Sequence, residues 1–170
     1  MIHETNLLKI KQIASVKNDE NFRFRSYLKS KDSDKIDSIV HQLHDELIKQ
    51  IDCTLCGNCC CNLKPELHKS DITILAQLEN ITSENYTSKY CENEYGEISL
   101  KTIPCRYLDE KKCSIYESRP IQCRKFPYTD QDDFISRLWG MIGFYEICPI
   151  VFNLMEELKD KMHFYRKRKF

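Results

Sequence analysis

The clearest hydrophobic pattern along the chain is a helical one in residues 34–51. Apolar side chains recur there every three or four positions, which places them on one face of a helix. They are Ile36, Ile39, Val40, Leu43, Leu47 and Ile51. Asp32 or Ser33 supplies a side-chain oxygen suited to capping the helix start. The pattern therefore predicts an amphipathic helix that ends where a dense run of cysteines begins.

Weaker helical patterns occur on both sides of this helix. We expect a short helix near residues 7–13, helices over residues 70–78 and 83–90, and a final helix that begins at Cys148-Pro149. The apolar run of residues 134–147 is ambiguous, and we interpret it as a buried strand or ribbon.

Two cysteine-bearing segments flank a polar turn in the second half of the chain. Cys105-Arg106-Tyr107-Leu108 and Cys113-Ser114-Ile115-Tyr116 are separated by Asp109-Glu110-Lys111-Lys112, which predicts a small β-hairpin. Arg119-Pro120 then starts a helical turn that carries Cys123, because proline is favoured at the first position of a helix. The fold class expected is α+β, mostly helical with a small β-hairpin, in a compact single domain organised around a cysteine-ligated metal centre.

The same patterns predict how the chain is divided. Residues 1–45 are expected to form an N-terminal helical arm packed on the body, because it carries the apolar residues Phe22, Phe24, Tyr27 and Leu28. Residues 46–150 are expected to form the metal-binding domain. Residues 151–170 are expected to form the C-terminal helix of that same domain.

Charge and length exclude some partners. The 170 residues carry 26 basic and 26 acidic side chains, so no net charge attracts nucleic acid. No apolar run approaches the roughly 18–20 residues of a transmembrane helix, and we expect no membrane partner. The first residues lack the basic start and apolar middle of a signal peptide. We therefore expect a cytoplasmic location, where reducing conditions favour metal binding by cysteines over disulfide formation.

The densest chemical feature is the run Cys53 to Cys61, which contains five of the ten cysteines. Thiolates are strong ligands for zinc and for iron–sulfur clusters. The spacing Cys53-x2-Cys56-x2-Cys59 lets one tight loop present three thiolates to one centre. Gly57 lets the backbone bend closely enough for amide N–H groups to point at sulfur.

Adjacent cysteines suggest more than one metal position. Side chains of neighbours on an extended backbone diverge, so we expect Cys59 or Cys60 to reach a second centre or to bridge two metals. Eight thiols would make two four-coordinate sites, or one site with additional reactive thiols. The predicted metal ligands are Cys53, Cys56, Cys59, Cys60, Cys105, Cys113, Cys123 and Cys148. Cys61 is left over, and Cys91 is expected to act as a small buried hydrophobe. Pairing of the ten cysteines as disulfides is the alternative in an oxidising compartment.

Positive side chains flank the downstream cysteines. A four-thiolate site on zinc or on an oxidised [4Fe–4S] cluster carries a formal charge of about −2, which cations and N–H donors stabilise. Arg119 and Arg124 are the predicted cofactor-binding residues, with Arg119, held before Pro120, in the inner position. The alternative for each is an ordinary surface arginine.

These residues together resemble the YkgJ-type CxxCxxCC cysteine-cluster family, described as zinc- or iron-chelating proteins. The motif is present as residues 53–60, and a second matching block runs from Cys105-Arg106-Tyr107-Leu108 to Cys123-Arg124-Lys125-Phe126-Pro127. The helix start Ser70-Asp71-Ile72 also looks like the family. The resemblance covers about residues 50–150. Cys61 makes a triple cysteine where the pattern asks for two, so the ligand among Cys59, Cys60 and Cys61 stays open.

The resemblance implies a bound metal but not one activity. The triple cysteine and Cys148-Pro149 favour an iron–sulfur cluster, in the form [4Fe–4S], with zinc as the alternative. Similar cysteine modules occur in flagellin lysine methylases, where they look like iron–sulfur centres serving S-adenosylmethionine-dependent methyl transfer.

Three functions stay open. The first is a metal-binding protein with a redox or protein-modification role. The second is an enzyme or enzyme subunit that uses a [4Fe–4S] cluster for group transfer such as protein methylation, with a protein substrate. The third is a structural zinc module that binds a protein partner. No Ser-His-Asp, Cys-His or HExxH pattern is visible, so enzyme activity is left open.

Overall fold

A computed structural model describes residues 3–164 of the chain. These residues form eight α-helices and two antiparallel β-hairpins. The helices are α1 (Leu7–Leu28), α2 (Ser33–Leu47), α3 (Asn58–Asn62), α4 (Lys69–Leu78), α5 (Ser83–Tyr90), α6 (Ile121–Lys125), α7 (Phe134–Tyr145) and α8 (Pro149–Lys161). The strands are β1 (Cys91–Glu94), β2 (Glu97–Leu100), β3 (Leu108–Asp109) and β4 (Lys112–Cys113). The mostly helical α+β prediction is confirmed, with two hairpins in place of one. The end of the predicted helix over residues 151–170 lies outside the described residues.

The helices and strands fall into two units. One unit consists of the chain up to Asp52 together with the chain from Pro127 onward, and we call it the helical unit. The other is Cys53–Phe126, and we call it the cysteine unit. The predicted boundaries at residues 45 and 150 stay predictions.

The helical unit is a packing of α1, α2, α7 and α8 around an apolar core. The predicted helix in residues 34–51 is confirmed as α2, and Asp32 caps it by accepting a hydrogen bond from the Lys35 backbone N–H at 3.0 Å. Its apolar face is buried, as the periodicity requires. The core side chains include Ile10, Phe24, Leu28, Val40, Leu43, Leu138, Leu154 and Leu158.

Helix α1 is much longer than the short helix predicted near residues 7–13. Its buried stripe continues at helical spacing, but it includes the polar residue Asn21 among its apolar members. Lys17 lies on the same stripe and donates a hydrogen bond to the Glu156 carboxylate. These polar residues interrupt the apolar pattern, so the sequence alone does not show the full length of the helical period.

The stretch of residues 134–147 is mostly helical, forming α7 (Phe134–Tyr145), and the predicted strand or ribbon is wrong. The buried side chains Phe134, Leu138, Met141 and Tyr145 follow helical spacing. Asp37 fixes the helix start, because its carboxylate accepts hydrogen bonds from the Asp133 and Phe134 backbone N–H groups at 2.7 and 2.9 Å. A run rich in aromatic and branched residues suits either structure, and here the contacts with α1 and α8 decide for the helix.

A buried charge network joins α1 to α8 within the helical unit. Lys159 is fully buried and donates hydrogen bonds to Glu20 at 2.8 Å and to Glu156 at 2.6 Å. The Tyr145 hydroxyl donates to Glu156 at 2.8 Å. Burial alone would raise the pKa of Glu156, but the donors Lys159, Lys17 and Tyr145 outweigh it, and the pKa is lowered.

The cysteine unit has its own small core beneath the first hairpin. Strands β1 and β2 pair with Cys91 opposite Leu100, and both side chains are buried. The Leu67 backbone N–H donates to the Ile98 carbonyl at 2.7 Å, which ties the segment before α4 to this hairpin. The hydroxyls of Tyr86 and Tyr107 hydrogen-bond at 2.9 Å inside this core. Cys91 is thus a core residue, as predicted.

No helix within residues 3–164 combines the length and the apolar character that crossing a membrane requires.

The Glu156 network predicts acid sensitivity of the helical unit. Because the folded-state pKa of Glu156 lies below its unfolded value, its stabilisation is present above the unfolded pKa, about 4.3, and is lost as pH falls through the folded pKa. Glu156→Gln should lower the free energy of unfolding by about 2 kcal/mol at pH 7. It should also flatten the loss of stability between pH 5 and pH 3, measured by urea unfolding.

The matched control is Glu146→Gln, which alters an exposed carboxylate at the end of α7. This variant should retain the wild-type acid dependence. Equal acid dependence in Glu156→Gln and wild type would contradict the assigned role of the network.

Candidate metal centre

The cysteine run folds as two short helical turns joined at Gly57. A 3₁₀ turn spans Cys53–Leu55, and Gly57 adopts a left-handed backbone conformation with φ of 62° before α3 begins. A Cβ atom on Gly57 would lie 2.6 Å from the Lys111 carbonyl oxygen. Only glycine therefore allows the run to pack against the turn between β3 and β4. The tight bend expected at Gly57 is confirmed, whereas amide N–H groups that point at sulfur from this bend stay a prediction.

Cys59, Cys60 and Cys61 lie on α3, so their backbone is helical and not extended as we expected. The Cys59 and Cys60 thiols hydrogen-bond to each other. This hydrogen bond, together with burial, raises the pKa of the Cys60 thiol. The divergence expected for the two side chains is therefore wrong.

The predicted hairpin brings two further cysteines to α3. Strands β3 and β4 pair with Leu108 opposite Cys113. The Cys105 backbone N–H donates to the Cys60 carbonyl at 2.7 Å, which joins the two halves of the cysteine pattern directly. The sequence spacing predicted the hairpin, but nothing in it indicated which member of the cysteine run would bond to Cys105.

Backbone N–H groups point at two of the thiols. The Tyr107 N–H donates to the Cys105 thiol, and the Ile115 N–H donates to the Cys113 thiol. Each donor lies two residues after its cysteine, so two local turns repeat the same arrangement. Hydrogen bonds of this kind stabilise thiolates that bind a metal. The donors were predicted near Gly57, and the structure places these two in the hairpin.

Helix α6 contributes the fourth thiol, that of Cys123. Burial, together with the nearby thiols of Cys60, Cys105 and Cys113, raises the pKa of the Cys123 thiol to about 12. Burial also raises the pKa of Cys105 and of Cys113, and the nearby Cys60 thiol adds to the rise in both. We call Cys60, Cys105, Cys113 and Cys123 the thiol cluster.

Arg119 is the cation whose charge affects three of the four thiols in the cluster. Its guanidinium stacks over the Tyr116 ring, with 3.7 Å between the guanidinium carbon and the ring centroid. Its charge opposes the rise in thiol pKa at Cys60, Cys113 and Cys123, a rise that hydrogen bonding and burial cause. The Nε atom of Arg119 is buried without a hydrogen-bond partner. An N–H donor that is buried and unsatisfied beside thiols fits a missing anionic acceptor.

The other predicted site residues lie elsewhere. Cys53 is exposed and Cys56 is half-buried, and both belong to the 3₁₀ turn and the residues after it. Arg124 is exposed in the last turn of α6. Cys148 is buried at the start of α8 and belongs to the helical unit. The four members of the thiol cluster are thus brought together in the cysteine unit, and Cys148 is not part of that unit.

The ten cysteines, all of which lie within residues 3–164, form no disulfide bonds there. Within the part of the chain that the structure describes, no group of three or more His, Cys, Asp or Glu side chains has the geometry to hold a single metal ion. The thiols of the cluster nevertheless act on one another electrostatically, as their raised pKa values show. Their donor type, their N–H partners and the unsatisfied Arg119 Nε fit an iron or zinc group that is negatively charged once its thiolate ligands are counted.

Sequence reasoning missed Asp71 as part of this arrangement. Its buried carboxylate accepts hydrogen bonds from the backbone N–H groups of His68 and Ile121 at 3.0 and 3.1 Å. The available signal was the family-like helix start at Ser70-Asp71-Ile72, which indicated a helix but not the distant partner.

The contact at Gly57 gives a stability prediction. Gly57→Ala should lower the free energy of unfolding by more than the roughly 1–2 kcal/mol of a left-handed residue, because the new Cβ also meets the Lys111 carbonyl. The control is Gly96→Ala, since Gly96 has φ of 93° and nothing within 4 Å of its Cβ position. Urea unfolding of both variants should rank Gly57→Ala as the less stable, and the reverse order would show that the contact is unimportant.

The chain is similar to known proteins in the cysteine region. It is 36% identical over 84 residues to "Uncharacterized protein MJ0661" of Methanocaldococcus jannaschii, and the match covers 46% of this chain and 45% of that protein. No solved structure matches the chain. The model of the family described as "CxxCxxCC: Putative zinc- or iron-chelating domain" matches residues 52–140, more than half of the 170 residues. This chain therefore belongs to the CxxCxxCC family of zinc- or iron-chelating domains.

Proposed function

We propose that the cysteine unit holds an iron–sulfur cluster, of the [4Fe–4S] type, through Cys60, Cys105, Cys113 and Cys123. The observation that carries this proposal is that the thiols of Cys60, Cys105 and Cys113 all raise the pKa of the Cys123 thiol, although the four residues come from three separate segments: α3, the segment of the β3–β4 hairpin and α6. Four cysteine thiolates are the ordinary ligand set of such a cluster. The function supported best is thus the binding of metal by a protein whose fold is arranged around it.

The surroundings of the thiols support a negatively charged metal group. The Tyr107 and Ile115 N–H groups donate to two ligand sulfurs, and Arg119 places a positive charge near three of the four. These groups would stabilise thiolates while a metal replaces their protons. The buried Nε of Arg119 would donate to a cluster sulfur, which completes its hydrogen bonding.

The cysteine pattern favours a cluster over a single ion. The triple cysteine Cys59-Cys60-Cys61 and the pair Cys148-Pro149 both favour iron–sulfur ligation. Zinc is the second candidate, favoured by the closed set of four cysteines.

The remaining predicted ligands are assigned a separate role. Cys53, which is exposed, and Cys56 and Cys59, which are half-buried, are proposed to serve a second metal position. Cys148, which lies outside the cysteine unit, stays a predicted ligand. Arg124 stays a predicted cofactor-binding residue. Redox chemistry, group transfer such as protein methylation, and a protein partner stay predictions. Four cysteines fill the ligand positions of a closed site, and such a site leaves no open metal position for a substrate.

Anaerobic purification provides the direct test of metal identity. The protein should contain iron and inorganic sulfide in equal amounts, with the broad visible absorption of sulfur-to-iron charge transfer. Elemental analysis, sulfide assay and absorption spectroscopy measure these three quantities. Stoichiometric zinc with neither iron nor sulfide would overturn the cluster and support the second candidate.

Replacement of single cysteines tests the ligand set. Cys60→Ser should abolish most metal uptake, because a serine hydroxyl is a much weaker ligand than a thiolate, and it should also destabilise the cysteine unit. Cys61→Ser is the matched control, since Cys61 is the next residue of the same helix and is exposed. It should retain metal. Loss of metal in Cys61→Ser with retention in Cys60→Ser would place the ligand one residue later than proposed.

A further inference from the structure

Asp71 connects two helices of the cysteine unit through one buried carboxylate. It lies in the first turn of α4 and is only 2% exposed. Oxygen Oδ2 accepts a hydrogen bond from the His68 N–H at 3.0 Å, within its own helix turn. Oxygen Oδ1 accepts one from the Ile121 N–H at 3.1 Å, at the start of α6. The two oxygens therefore serve two different helices.

Helix α6 depends on this distant acceptor. The first backbone N–H groups of any helix have no partner within the helix and are usually capped by a nearby side chain. The residue at the capping position of α6 is Pro120, which makes no side-chain capping bond. Asp71 supplies the missing acceptor from fifty positions earlier in the chain. A helix of five residues is also too short to be stable by itself, so its position depends on tertiary bonds.

The position of helix α4 depends less on the Asp71–Ile121 hydrogen bond than the position of α6 does. Its face bearing Ile72, Leu75 and Ala76 is buried in the core of the cysteine unit. Packing of these side chains anchors α4 independently of Asp71. The hydrogen bond between Asp71 and Ile121 therefore acts mainly on α6, with α4 as the fixed element.

The part of the chain that Asp71 holds carries two groups of the candidate metal centre. Cys123 lies two residues after Ile121, and Arg119 lies directly before Pro120. The proline ring restricts the backbone between Arg119 and α6, so a shift of α6 moves both groups. We propose that Asp71 is a positioning residue of the metal centre, which sets the place of Cys123 and Arg119 relative to the other thiols. This inference rests on the proposed metal-binding function.

The test compares Asp71→Asn with wild type in anaerobic titrations of the metal-free full chain with Co²⁺ against a chromophoric chelator. A carboxamide has one acceptor oxygen and presents an NH₂ group to the second donor, so at least one of the two bonds is lost. Co²⁺ affinity should fall about tenfold to a hundredfold, as for other groups that orient ligands. The thiolate-to-Co²⁺ charge-transfer bands should also shift, because the Cys123 sulfur is displaced.

The matched control is Thr82→Ala, which removes the side-chain cap of α5 in the same unit. That helix carries none of the proposed ligands, so Thr82→Ala should lower stability by about 1 kcal/mol. Its Co²⁺ affinity and spectrum should remain those of wild type. A general loss of stability would affect the control and Asp71→Asn alike, whereas a positioning role affects only the latter.

Amide hydrogen exchange of the metal-free protein gives a second readout. Exchange at Ile121 and Arg124, whose N–H groups bond to Asp71 and to the Pro120 carbonyl, should accelerate in Asp71→Asn, while exchange in α4 should change little. If Asp71→Asn does not fold, Asp71→Glu is used in the same titration, since it keeps the charge and displaces the carboxylate by one methylene.

The outcomes separate the two proposals. Unchanged Co²⁺ affinity and spectrum in Asp71→Asn, with normal binding by wild type, would overturn the positioning role and leave the proposed function intact. Wild-type protein that takes up no Co²⁺, iron or zinc would overturn both.

Discussion

The thiols of Cys60, Cys105, Cys113 and Cys123 lie close enough to affect one another, and as thiolates they would repel one another. Without a cation the thiols stay protonated, as the raised pKa of Cys123 shows. A bound iron or zinc group would exchange those protons for metal–sulfur bonds and would join α3, the second hairpin and α6 into one structure. Arg119 and the two backbone N–H donors reduce the repulsion but are too few to remove it.

The two units are stabilised by different means. The helical unit has a continuous apolar core, and its buried charges at Lys159, Glu20 and Glu156 are mutually satisfied. The cysteine unit has a smaller core, around Leu75, Tyr86 and Leu100, which lies under the first hairpin. Its short elements α3, β3, β4 and α6 have two to five residues each, so their order depends on tertiary bonds and on the proposed metal.

Sequence reasoning succeeded where the physical cause is local. The period of α2, the turn chemistry of the second hairpin and the proline before α6 all act within a few residues, and each was predicted. It did not succeed where the cause is distant. The bonds from Cys105 to Cys60 and from Ile121 to Asp71 join residues about fifty positions apart, and no spacing rule marks such partners. The same limitation explains α7, whose composition suits a strand until α1 and α8 pack against it.

The helical unit is discontinuous in sequence, since α1 and α2 precede residues 53–126 whereas α7 and α8 follow them. The packing of α2 against α8 therefore closes a chain loop that contains the entire cysteine unit. Loop closure costs more conformational entropy when more residues of the loop move freely. Metal that orders residues 53–126 would shorten the freely moving part of this loop. Removal of metal should thus weaken the helical unit through chain connectivity alone.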